Sequence, residues 1–302
     1  MLNLIRRRRG WQLAGLLGPG ALWLMLFFNL PLVIVLFISF AERGRAGGIK
    51  LPPVLTLENY GQFFNACQSE FAGPECDPLL YLGIFGHSLR IGLIVTIFCI
   101  LLGYPLAYFI SQRNPRWRDA LLLLVMIPFW TNFLVRTYAL KQVLGAEGLI
   151  NSFLLGLGLI QQPLDLLFNE TAVIVGLVYG YLPFAILPMY ASVEKFDYTL
   201  MEAAADLGAN ARRAFLRVML PMTLPGVVAA LVLTFVPVVG AFITPDIMGG
   251  GKIEMIGTLI NRQFGQSRNW PFGSAIALIL MSLVLVGVII YFRSGGEERR
   301  AI

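Results

Sequence analysis

The chain has 302 residues, 57% hydrophobic and only 13% charged, with a mean hydropathy of +0.75 and a formal net charge of +6. Soluble domains carry about 25% charged residues, so these few charges cannot cover a globule, and apolar runs of about 20 residues place the chain in lipid instead. The basic residues sit at the ends of those runs rather than in one patch, which argues against a nucleic-acid-binding face, and the three cysteines and His87 make no metal-site spacing.

Residues 1–10 form a basic tail with Arg6, Arg7, Arg8 and Arg9, and no charge interrupts the sequence from Trp11 to Ala41. That run is longer than the apolar core of a signal peptide, so it predicts an uncleaved first transmembrane helix. Residues 42–82 read as a polar loop rich in Gly and Pro. Helices follow at about Ile84–Ser111 and Ala120–Leu140, separated by a turn over Gln112–Arg118 that Asn114 and Pro115 mark. Arg136, near the far end of the latter helix, is placed to snorkel to the interface. Leu149–Ile160 is apolar but too short to cross, and reads as an interfacial or re-entrant helix. Further helices are expected at about Thr171–Val193, Met222–Thr244 and Pro271–Phe292. A polar segment, 194–221, lies between the first two, a loop over Pro245–Trp270 between the last two, and a tail at 293–302 ends the chain.

These runs describe an all-α integral membrane protein whose six transmembrane helices fall within residues 11–292, with both termini on one side. Most of the 23 Lys and Arg lie in the two tails, the 112–118 turn and the 194–221 segment. The positive-inside rule therefore gives an N-in, C-in arrangement, with 194–221 inside and 42–82 outside. An outside loop permits a Cys67–Cys76 disulfide, with two unpaired thiols as the alternative.

The six runs hold almost no ionisable side chain. Ion-coupled carriers need such groups at membrane depth, and a membrane enzyme needs acid–base pairs. The energy source must lie elsewhere, because no ATP site is present. The one Gly-rich stretch before a Lys, Gly249-Gly250-Gly251-Lys252, lacks the first Gly of a phosphate loop and has Ile253 where that loop needs Ser or Thr. Prolines recur at Pro31, Pro105, Pro128, Pro183, Pro188 and Pro237; they suit kinked helices around a path, or the ordinary tolerance of membrane helices for proline.

The inside segment reads as two helices and a turn. Thr199 and Glu202 have capping-box spacing. Ala203, Ala204 and Ala205 favour helix, Gly208 suits a left-handed closure, and Asn210 suits the cap of a second helix that Pro221 ends. Taken alone, capping would explain Glu202 and Gly208 in a merely solvated loop.

The same stretch carries Glu202, Ala203, Ala204, Gly208, Val218, Leu220 and Pro221 in the order E-A-A-x3-G-x9-[I/V]-x-L-P. This resembles the cytoplasmic signature of permease subunits of binding-protein-dependent ABC importers. The resemblance extends over Ile127–Tyr138, Val178-Tyr179, Leu182-Pro183-Phe184, Asp246–Gly250 and Trp270–Gly273, which look like the B-type permease of spermidine/putrescine importers. The basic N-terminal stretch and the two-cysteine first loop depart from that pattern.

The resemblance implies a type I ABC importer permease in the inner membrane, itself not an enzyme. Residues 194–221 would be the elbow that docks into the ATPase and couples its closure to the helices. Partners would be two ATP-binding subunits holding ATP and Mg, a second permease subunit and an external substrate-binding protein, with no cofactor on this chain. The cargo implied is a polyamine, with an opine, sulfate or a sugar as the other solutes and a membrane channel as the competing class. A cation path would use Asp246, expected at the outer end of the fifth span, and the aromatic faces of Trp130, Tyr138, Tyr179, Tyr181 and Phe184, although each ring alone suits packing against lipid or another helix better.

Overall fold

The structure, a computed structural model, describes residues 16–44, 47–50, 52, 54–68 and 77–297. Among them every regular element is helical, and the only β-type pairings are two isolated bridges, Ala41 with Leu55 and Arg43 with Ile49. The helices are α1 (Leu16–Ser39), α2 (Glu58–Phe64), α3 (Leu80–Ser111), α4 (Pro115–Trp130), α5 (Phe133–Leu144) and α6 (Leu149–Gly156). They continue with α7 (Glu170–Glu194), α8 (Thr199–Asp206), α9 (Ala211–Val239), α10 (Ile243–Gly249), α11 (Ile256–Phe264) and α12 (Trp270–Glu297). Five are long and apolar enough to cross a membrane, and six if the bent pair described below counts as one span.

Two compact units divide the described residues, one within Met1–Tyr81 and Ile260–Ile302, the other Leu82–Leu259. In the first, α1 exposes Leu22, Trp23, Leu24, Phe27 and Phe28, as a helix bathed in acyl chains would. The described part of the loop after it, 54–68, carries α2 and specific hydrogen bonds. Asn59 on α2 donates to the carbonyls of Ser39 and Ala41, both at 2.9 Å, and the Ser39 hydroxyl meets Tyr60 at 2.8 Å. Tyr81 packs on Phe272 of α12.

In the second unit α7 is central. Its Val173, Leu177, Ile186, Met189 and Val193 are buried with Ile91, Val95 and Cys99 of α3 and Ala230 and Val238 of α9. Small residues let the backbones approach, as in membrane helix pairs generally. A Cβ on Gly226 would strike the Pro188 carbonyl and Ser192, and one on Gly103 would strike Met189.

Three sequence expectations need correction. The helix expected at Ala120–Leu140 is two helices: α4 and the run Phe133–Gly156 meet at 91°. Pro128 withholds a backbone donor, and the Asn132 side chain accepts from the Leu134 amide at 2.8 Å, starting a new helix. Second, Pro221 does not end the second elbow helix; that helix is the start of α9 and runs unbroken from Ala211 to Val239. A π turn over Phe215–Met219 precedes Pro221, as another over Met25–Asn29 precedes Pro31. The widened turn accommodates the missing N–H and the ring's clash four residues back, so the helix passes through. Third, α10 runs into the expected Pro245–Trp270 loop, which also contains α11, and Asp246 lies on α10 rather than at the end of the preceding span, which stops at Val239.

Candidate functional site

The elbow consists of α8, a tight turn and the start of α9. Gly208 holds φ at +83°, a conformation that L side chains rarely adopt, and nothing lies within 4 Å of where a Cβ would stand. The Asn210 side chain accepts from the Arg213 amide at 2.9 Å and so starts α9. The expected capping box is absent. Tyr198, Thr199 and Glu202 give no side-chain cap; instead the Asp197 carboxylate accepts from the Thr199 amide at 3.0 Å and from its hydroxyl at 2.8 Å. Asp197 outcompetes because it sits two residues back, where an Asx turn closes without stretching. Those hydrogen bonds hold its carboxyl below the usual range.

What the elbow presents is small and exposed. Glu202, Ala203 and Gly208 are exposed and Ala204 is half-buried, while Leu207 at the turn is 90% exposed. Val218 and Leu220 are half-buried and Pro221 is exposed. Thus the front half of the signature faces outward, and its back half lies along the helix that leaves the elbow. Anchors fix the bend to the unit behind it. Tyr104 on α3 meets Thr223 at 2.7 Å and stacks edge-on against Phe215, while Ser111 meets the Tyr198 hydroxyl at 3.2 Å.

The candidate path residues do not form one cluster. Tyr181 and Phe184 are half-buried on α7, with ring centroids 6.0 Å apart, and Phe129 of α4 packs on Phe184 at 5.0 Å. Tyr179, on the same helix, borders a tight cleft with Phe133, Arg136, Thr137 and Gly180. Trp130, at the end of α4, and Tyr138, on α5, are 72% and 56% exposed. Asp246 is exposed in the first turn of α10.

Arg136 does not snorkel. It is 8% exposed, and its Nη1 donates to the Pro128 carbonyl at 3.0 Å. That carbonyl, which also accepts from the Thr131 hydroxyl at 2.6 Å, draws the guanidinium inward at the helix break. Phe133 and Tyr179 lie 5.3 and 5.9 Å from it.

Another charged group escaped the sequence reading. His87 and Arg90, near the start of α3, converge on Glu170 at the start of α7, with Arg90 Nη2 at 2.6 and 2.5 Å from the two carboxylate oxygens and His87 Nε2 at 3.2 Å. His87 Nδ1 also meets the Glu254 carbonyl at 3.3 Å. Counting charges within single runs hid a cluster shared between two helix ends. Cys67 is disulfide-bonded and Cys99 is free, while Cys76 lies outside the described residues.

Comparison with known proteins gives this geometry a family. Residues 99–294 match the family described as binding-protein-dependent transport system inner membrane component. The spermidine/putrescine transport system permease protein PotB of Haemophilus influenzae is 42% identical over 280 residues, covering 93% of each chain. PotB of Escherichia coli K12 is 41% identical over 272 residues, 90% of this chain and 94% of that one. The inner membrane ABC transporter permease protein YdcU of the same organism is 28% identical over 297 residues, 94% of this chain and 89% of that one. Among solved structures, a bacterial ABC transporter that imports the acidic polysaccharide alginate has a chain with the same fold, with a TM-score of 0.70 at 18% identity over 99% of both chains. The alginate transporter in complex with its alginate-bound periplasmic protein gives 0.72 at 18% identity, over 94% of this chain and 93% of that one. The all-helical fold with five or six apolar spans is therefore that of an ABC importer permease, and this chain belongs to the binding-protein-dependent transport system inner membrane components.

Proposed function

We propose that this permease forms half of the path of an ATP-driven polyamine importer and that residues 194–221 receive the motion of a separate ATP-hydrolysing subunit. The observation that carries the coupling role is the elbow: a rigid bend with exposed Glu202, Ala203 and Leu207, fixed by the left-handed Gly208 and tied to α3. A bend with small side chains lets another backbone approach closely. The polyamine cargo is supported by the 42% identity to a spermidine/putrescine permease along nearly the whole chain. The remaining partners follow from the same reading: two ATPase subunits carrying ATP and Mg, a second permease and an external binding protein.

Both termini are assigned to the cytoplasm. Arg113, Arg116 and Arg118 share one end of their unit with Lys195, Arg212, Arg213 and Arg217, since Ser111 meets Tyr198 and Arg118 meets Glu194 there. Gathered positive charge belongs inside. Cys67 then faces the oxidising side, and Cys76 is its proposed partner.

The experiment is a scan of spermidine, putrescine, sulfate and a sugar, by thermal shift of the partner binding protein and by uptake through the whole complex. Stabilisation and uptake of polyamines alone are expected. Selective stabilisation and uptake of sulfate or sugar would assign a different cargo.

A further inference from the structure

α4 has no buried residue, although it runs beside α7, the helix that leads directly into the elbow. Its Leu121, Leu122 and Val125 are partly buried against the core of their unit. Three specific ties supplement that packing. At its start, Arg118 Nη1 meets the Glu194 carboxylate at 2.8 Å, on the last residue of α7. Near its end, Phe129 packs edge-on against Phe184 with ring centroids 5.0 Å apart. Beyond its last turn, Arg136 reaches back across the break to the Pro128 carbonyl and lies over Tyr179 of α7.

These ties are in antiparallel register. From Arg118 to Phe129 and from Glu194 back to Phe184 the chain advances about 16 Å at 1.5 Å per residue, so matched lengths of the two helices are pinned at both ends. Arg136 is buried with no carboxylate beside it among the described residues. A buried guanidinium is retained where it does something; here it joins the end of one half-helix, the start of the next and the face of α7.

We infer that α4 and α7 form one lever, pinned by Arg118–Glu194 and by Arg136, through which displacement of the elbow reaches the helix break at Thr131–Asn132. Arg136 is the positioning residue at the far end of the lever, and the break is where the motion is released. This inference rests on the ATP-coupled reading of the elbow and is independent of the cargo.

Two measurements on the complete reconstituted complex test it. The first is the coupling ratio, ATP hydrolysed per cargo molecule imported. Arg118→Glu and Glu194→Arg alone should each raise it at least about tenfold, while the double swap restores it. Arg136→Met should raise it similarly, with Arg136→Lys, still a donor to the Pro128 carbonyl, in between. A merely structural pair would lower complex yield and leave the ratio of the surviving complex unchanged, which would overturn the proposal.

The second measurement is of spin-label distances in nucleotide-free and vanadate-trapped states. Labels at Trp117→Cys and Lys195→Cys should keep their separation, while those at Trp117→Cys and Gln142→Cys, across the break, should change it. A changing α4–α7 distance, or a constant distance across the break, would contradict the lever. These distances are read without any cargo, so a complex that imports no polyamine counts against the preceding proposal and leaves this test intact.

Discussion

Gly208 stands at φ +83° in open space, so the backbone conformation and not crowding restricts what can replace it. Asn, which tolerates the left-handed region, should substitute with little loss, whereas Ala should cost about 1–2 kcal/mol. Pro cannot adopt that angle at all; Gly208→Pro should abolish stimulation of the ATPase by the loaded binding protein while protease mapping shows normal membrane insertion. A bulky residue at Ala204 should act likewise by blocking approach. Asp246→Asn tests the proposed path: polyamine uptake should fall several-fold while the complex still assembles, and an unchanged concentration series would remove Asp246 from the path. Asp197 gives a pH signature. Its folded pKa lies below the ordinary 3.8 because of Thr199, so its contribution is complete above that value and is lost as pH falls through the lower one. Asp197→Asn should flatten that acid limb of a melting curve. Gly208 and Asn210 were legible in the sequence because each acts on its immediate neighbours. The burial of Arg136 was not, because its partner is the Pro128 carbonyl, which turns to side-chain donors only where the helix breaks.

The spans were legible because a bilayer demands runs of about 20 apolar residues and little else. The break at Thr131–Asn132 was not, since both sides of it are equally apolar and composition alone cannot separate a straight span from a bent one. The signals were local: Pro128 withdrawing a donor and Asn132 capping four residues later. Pro221 misled in the opposite sense, because a π turn carries the helix past it. Pro221→Ala should therefore leave α9 continuous and convert the turn to regular α-helix. That shift of register would rotate Arg212, Arg213 and Arg217 relative to the span, visible as altered cross-linking to the ATPase subunit. Close packing behind the elbow makes Gly226→Leu a contrasting case: a side chain there meets backbone, so a loss of about 1–3 kcal/mol or more is expected, read as a lower melting temperature of the purified complex.

At the largest scale, charge marks the two ends of the Leu82–Leu259 unit. Basic segments gather at the end of the helices where the elbow projects, whereas the His87–Arg90–Glu170 cluster ties α3 to α7 at their opposite ends. The residues that touch the cargo are the least legible feature, since the aromatic candidates are spread over α4, α5 and α7. ATP-driven uptake of radiolabelled spermidine into proteoliposomes holding the complete complex, wild type beside Gly208→Pro, tests the central claim most directly. Uptake that requires ATP, is competed by putrescine and disappears in Gly208→Pro is the expected result; wild-type uptake by the Gly208→Pro complex would contradict it.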